Sequence, residues 1–398
     1  MESVTTALTS GIGAFQSPAS TRLVFGAGAV ADVGKFTAEL GGRKVLIVTD
    51  PGVVAAGHAA RVSQTLQQVG IEFALFDEVR ENPTTRDVAR CVDKARSEAV
   101  DFFIGLGGGS SMDTAKGCNF ILTNGGEMKD YWGVGKATRP MLPLIAVPTT
   151  AGTGSECQSF ALIADEVTHA KMACGDVKAS AKIALLDPEL TLSQPRRVTA
   201  CTGVDAIAHA LEAAVTTKRT PISSIYSREA FGLMVEAFPK VLEQGDDLTA
   251  RGAMLLGAAM AGVAIENSML GAAHSAANPL TAHFGVIHGQ AVGVMLPSVV
   301  AFNAADSQAR RIYALLAGSA GLSDAWGDAD AAVAALVAYL KETLTNAGLS
   351  SDLREWKVGE DQIPQLAQEA AQQWTARFNP RAVQASDFEV LYRSAATG

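Results

Sequence analysis

Asp205 and His209 stand four positions apart in GVDAIAHALEA, a stretch rich in helix formers. That spacing puts both side chains on one helix face, about one turn apart. His274 and His288 follow in GAAHSAANPLTAHFGVIHG, the second in a loop-like IHG. One carboxylate and three imidazoles form a mixed nitrogen and oxygen set suited to a divalent transition ion such as Fe(II) or Zn(II). Three of the six histidines in the chain belong to this set. Spacing alone also allows Asp205 and His209 to be an ordinary surface pair, with the other two histidines unrelated to it.

The elements that would position these residues change character along the chain. In the first half, KVLIVTD, IEFALFDEV, DFFIGLGGG, PLIAVPTT and AKIALLDPEL read as short apolar strands. AGHAARVSQTLQQVG and TTRDVARCVDKARSEA between them have helical periodicity. Such alternation predicts a mostly parallel sheet with helices on both faces. From about Thr191 the segments SREAFGLMVEAFPKVLEQ, LTARGAMLLGAAMAGVAIEN, AVGVMLPSVVAFNAA and DAAVAALVAYLKETLTNAG are long, Ala-rich and helical in period. Pro188 and Pro195 in DPELTLSQPRR mark the boundary. The expected domains are therefore residues 1–190, α/β, and 191–398, all-helical. At 398 residues, two hydrophobic cores are expected. The candidate ligands fall in the helical half and the glycine-rich loops in the α/β half, so a cleft between them is the expected active site.

Two loops have the composition of a nucleotide site. GLGGGSSMD follows an apolar strand and precedes a helix, and Gly107, Gly108 and Gly109 would let the backbone approach a diphosphate closely. The helix start at Ser110 would add amide donors and a favourable dipole. This is not G-x-G-x-x-G, and a tight turn needs the same glycines. PTTAGTGSE is a second such loop, with hydroxyls at Thr149, Thr150 and Thr153. Asp50, ending the strand VLIVTD, could accept hydrogen bonds from an adenosine ribose and would repel a 2′-phosphate. Its simpler role is a helix N-cap before Pro51-Gly52.

VFGAGAVADVG, VLIVTDPG, ENPTTRDV, GLGGGSSMDTAK, AVPTTAGTGSE, LLDPEL and GVDAIAHALEA, followed by an H-x13-H segment ending in HG, occur in that order. Together they make the chain resemble the iron-containing, metal-dependent alcohol dehydrogenase family over nearly its whole length. The resemblance implies a dehydroquinate synthase-like fold. It also implies one metal ion on Asp205, His209, His274 and His288, and NAD at the two loops, with Asn82, Asp113 and Lys171 beside the cofactor. An aspartate at position 50 goes with NAD rather than NADP. The implied reaction exchanges hydride between a primary or secondary alcohol, diol or hydroxy acid and NAD, with the ion as Lewis acid. Family members often carry a second histidine four residues after the one equivalent to His274; here that position is Asn278, which cannot relay a proton near neutral pH. His283 is then the candidate acid/base group. NPRAV, from Asn379 to Val383, resembles a family tail and reads as structural.

Composition narrows the alternatives. Apolar residues make up 48% and charged residues 18% of the chain, as in soluble globular enzymes. A net charge of −9 argues against a nucleic-acid partner. Five scattered cysteines with no C-x-x-C suit a reducing, cytoplasmic compartment. The N-terminal stretch lacks a basic n-region and a long apolar core, so it does not read as a signal peptide. No run reads as a membrane span. Two other enzyme readings share the architecture. A dehydroquinate synthase-type lyase using NAD transiently would need clustered Lys and Arg, which the loops around His274 and His288 lack. A hydroxyacid-oxoacid transhydrogenase would hold NAD tightly. A homo-oligomer, dimeric or larger, is expected, with the extension before Leu23 offering a strand across its interface.

Overall fold

The computed structural model of the chain describes residues 21–168, 170–324 and 327–396. The signal-peptide reading and all but Thr21 and Arg22 of the extension before Leu23 fall on residues 1–20, outside those described; Arg22 opens the first strand. The described chain divides into two compact units, one ending at Gln194 and the other taking up at Pro195.

The first unit carries a six-stranded sheet in the order β1 (Arg22–Phe25), β9 (Ile183–Leu186), β6 (Leu144–Pro148), β4 (Phe102–Gly107), β2 (Lys44–Val48) and β3 (Glu72–Phe76). All its pairings are parallel. Its helices are α1 (Val33–Glu39), α2 (Pro51–Ala55), α3 (His58–Gln68), α4 (Thr85–Ser97) and α5 (Gly109–Asn124). The central strands β4, β6 and β9 are buried along their full length, which is why they read as unbroken apolar runs. Alternate residues serve opposite cores. Val45 and Ile47 of β2, with Phe102, Ile104 and Leu106 of β4, face one cluster, while Leu46, Val48 and Phe103 face the other. A second, three-stranded sheet runs β5 (Gly133–Val134), β8 (Lys171–Gly175), β7 (Phe160–Ala164); the sequence patterns had not indicated it.

The second unit is helical: α6 (Arg196–Val215), α7 (Pro221–Glu243), α8 (Leu248–Glu266), α9 (Ala272–Phe284), α10 (His288–Asn303), α11 (Ser307–Ser319), α12 (Ala329–Ala347), α13 (Ile363–Gln372) and α14 (Ala385–Ala396). Helix α6 is central, packed on α7, α8 and α10. By length and composition α6 and α8 could cross a membrane, but 89% and 72% of their most apolar windows are buried inside the protein, as in core helices of soluble folds. Small residues bring α10 against α6. A Cβ on Gly289 would lie 2.1 Å from the Cys201 carbonyl oxygen and 3.1 Å from Asp205 Cβ. Position 289 thus needs glycine for close helix contact, and His288 is the first residue of α10 rather than part of a loop.

Candidate metal centre and nucleotide loops

Three of the four candidate ligands converge. Asp205 and His209 lie one turn apart on α6, as their spacing requires, and His274 comes from the first turn of α9. Each is about 5% exposed or less. Asp205 Oδ1 lies 3.6 Å from His209 Nε2 and 3.4 Å from His274 Nε2, and the three ligand atoms all fall within 4.8 Å of one another. The His209 and His274 rings stack with centroids 4.8 Å apart. The His288 ring, half-buried at the start of α10, lies 5.5 Å from that of His274.

Asp205 Oδ1 and His274 Nε2 are buried with no hydrogen bond, a costly arrangement unless something else satisfies them. Ligands bound about 2.0–2.2 Å from a tetrahedral ion sit roughly 3.3–3.6 Å from one another. The two Asp205 separations match that range, so the residues present fit a divalent ion. Electrostatics agree. Burial would raise the Asp205 carboxyl, but the surrounding imidazoles override it and hold it well below the ordinary carboxylate range. Burial would lower the His274 imidazole, but the Glu212 and Asp205 carboxylates override it and lift it to about 9.

Glu212, on the same helix as Asp205 and His209, is a residue the sequence reading passed over. It is 2% exposed, and its carboxylate meets His274 Nδ1. The signal was present: Glu212 follows His209 by three positions and so shares its helix face.

The acid/base candidate His283 and the neighbouring Asn278, both on α9, are tied to the end of α13 and the residue after it. His283 is exposed, with Nε2 2.6 Å from Glu369 Oε2. Asn278 is half-buried and donates to Gln373 Oε1 at 3.0 Å.

In the α/β unit the two glycine-rich loops leave the C-terminal ends of neighbouring strands, where Gly107 of β4 pairs with Pro148 of β6. Open parallel sheets bind nucleotides outside such strand ends. The Thr149 amide donates to the Gly107 carbonyl at 3.0 Å, holding the loops together. Gly107 has φ +141, and a Cβ on Gly109 would meet the Thr153 side chain at 2.8 Å. Glycine at 109 is therefore required by the neighbouring loop. Ser110, Thr150 and Thr153 are half-buried and Thr149 is buried. Asp50 does cap α2, accepting from the Val53 amide at 3.0 Å; its other oxygen lies 3.2 Å from where a Gly107 Cβ would stand. Asn82 is exposed, with φ +53. Lys171 opens β8.

Asp113 is buried, and protein donors take both its oxygens: the Ser155 hydroxyl at 2.7 Å and the Leu162 amide at 3.2 Å. It braces the second loop from within. Beside it the fully buried Lys116 donates to the Ser155 carbonyl and hydroxyl, the Gln158 carbonyl and the Phe160 carbonyl, at 2.6–3.0 Å. Lys116 stands in the GGGSSMDTAK stretch, but only the structure shows that it pins the other loop. Glu156, in the same 3-10 turn (Ser155–Cys157), is 2% exposed, and burial raises its carboxyl to about 7.

Comparison with known proteins agrees with this fold. Residues 20–188 match the profile of the iron-containing alcohol dehydrogenases, and residues 199–396 match the C-terminal region of that family. NAD-dependent methanol dehydrogenase of Bacillus methanolicus is 36% identical over 384 residues, 96% of this chain and 99% of that protein. A crystal structure of 1,3-propanediol oxidoreductase superposes with a TM-score of 0.93 at 29% identity, covering 96% of this chain and all of that one. Sulfoacetaldehyde reductase from Bifidobacterium kashiwanohense, solved with NAD+, superposes with a TM-score of 0.87 at 25% identity over 97% of this chain and 100% of that one. With its motifs, fold and both family regions in agreement, the chain belongs to the iron-containing alcohol dehydrogenase family.

Proposed function

We propose that this protein is an NAD-linked alcohol dehydrogenase and aldehyde reductase with one Fe(II) or Zn(II) per chain. Asp205, His209, His274 and His288 hold the ion. The observation that carries the reading is the buried meeting of Asp205 Oδ1 and His274 Nε2 at 3.4 Å, with no hydrogen bond to either. A bound divalent ion supplies Lewis-acid polarisation of the substrate oxygen. The chain's own residues do the rest. The loop amides and hydroxyls from Gly107 to Ser110, with Thr149, Thr150 and Thr153, cradle the nucleotide diphosphate. Asn82 and Lys171 lie at its periphery, and Asp113 and Lys116 hold the second loop in place. Asp50 accepts from the ribose and disfavours a 2′-phosphate, so NAD is preferred over NADP. His283, oriented by Glu369 and open to solvent, passes the proton to water. Asn278 hydrogen-bonds but cannot relay.

The substrate class is a small primary alcohol. The names of the similar proteins point to methanol, 1,3-propanediol and sulfoacetaldehyde, which share a primary alcohol or aldehyde carbon. Five free, buried thiols suit a reducing cytoplasm, and a homo-oligomer completes the reading.

The test is NADH formation with a panel of primary alcohols, diols and hydroxy acids, before and after chelation. Turnover abolished by chelator and restored by added Fe(II) or Zn(II) is the expected result. Turnover that survives complete removal of metal contradicts the proposal.

A further inference from the structure

Helix α9 carries His274 but starts at Gly271, which has no side chain to cap it. Two groups distant in sequence do that work. Asn379 Oδ1 accepts from the Ala272 amide at 3.2 Å, and Glu212 Oε1 accepts from the Ala273 amide at 2.7 Å. Position 271 leaves them room, since a Cβ there would lie 2.9 Å from Asn379 Oδ1 and 3.1 Å from Glu212 Oε1. Asn379 is itself held by Asn303, which also donates to the Tyr313 hydroxyl. The second oxygen of Glu212 faces His274 Nδ1. One buried carboxylate therefore meets both the start of the helix and the imidazole that the helix presents.

We propose that Glu212 is a positioning residue that keeps the proton of His274 on Nδ1, so that the Nε2 lone pair faces Asp205 and the ion. The inference rests on the reading of the cluster as a metal site. A carboxylate only accepts, so the imidazole nitrogen facing it carries hydrogen, and the opposite nitrogen is the ligand atom. At 2% exposure, water does not replace Glu212 in this role. The same contact fixes the ring against the α9 backbone, coupling ligand orientation to helix docking.

Glu212→Gln separates the two functions. A glutamine has one oxygen where glutamate has two. The Ala273 amide cannot give up its proton, whereas an imidazole can move its own, so the oxygen stays with Ala273. The glutamine NH2 then faces His274 Nδ1 and drives the proton to Nε2, where it blocks the ligand position. Metal affinity, measured by chelator competition with zinc, should fall about 10–100-fold, with little change in the melting temperature of the metal-free protein. Asn379→Ala removes a cap without touching His274. It should lower that melting temperature while leaving zinc affinity unchanged. Wild-type zinc affinity in Glu212→Gln overturns the inference, while a wild-type protein that takes up no ion overturns the metal reading itself. Should Glu212→Gln fail to fold, nitrogen NMR of the zinc-loaded wild type decides. A proton on His274 Nδ1 with zinc on Nε2 supports the inference, and zinc on Nδ1 overturns it.

Discussion

In the α/β unit the buried ammonium of Lys116 meets four acceptors and both oxygens of Asp113 are taken by donors. In the helical unit Asp205 Oδ1 and His274 Nε2 are equally buried, yet neither has a hydrogen bond. A nucleotide is recognised largely through backbone amides and hydroxyls on a loop of fixed shape, so the polar groups beneath that loop must be fully engaged. A metal site works the other way: its ligand atoms must be gathered and left for the ion. The same physical rule, that buried polar groups need partners, therefore shows a fully engaged Lys116–Asp113 brace beneath one loop and ligand atoms without hydrogen bonds at Asp205 and His274.

Lys116→Met is the most severe way to break the contrast, because it leaves up to four acceptors unanswered in the interior. A loss of about 3–5 kcal/mol is expected, read as an early unfolding step in chemical denaturation. The folded fraction should also show a raised KM for NAD. Glu156 sharpens the contrast by pH. Its carboxyl is lifted by burial from 4.5 to about 7, so the native state keeps a proton that the unfolded chain releases. Its contribution is full below about pH 4.5 and is lost as pH rises through 7, by about 3 kcal/mol in all. Glu156→Gln should remove that slope, checked by denaturation midpoints at pH 5 and pH 8. Asp50→Gly has the smallest effect on stability, about a few tenths of a kcal/mol, because glycine itself is tolerated at an N-cap. It should relax the preference for NAD, seen as a raised ratio of kcat/KM with NADP to that with NAD.

Much of this organisation was legible in the sequence. Strands β2, β4, β6 and β9 could be read because a parallel sheet covered on both faces demands apolar residues at every position. Asp205 and His209 could be placed on one face because helical period alone decides it. The small sheet escaped because β5 has two residues, too few for any periodicity. His288 read as a loop residue because Ile287-His288-Gly289 has turn composition; Gly289 is instead demanded by the Cys201 carbonyl of α6. Gly109 could be recognised as special, but Thr153, which excludes a Cβ there, is remote in sequence. Glu212 is the instructive miss. A glutamate on a helix ordinarily reads as a solvated side chain, and only the packing of α6 among its neighbours makes it a buried partner of His274.

The decisive measurement is metal content per chain, by elemental analysis, in the purified wild type and in Asp205→Asn. About one Fe or Zn per chain in the wild type, and almost none in a folded Asp205→Asn variant, is the predicted result. Equal metal content in the two proteins, or none in either after exposure to both ions, would contradict it.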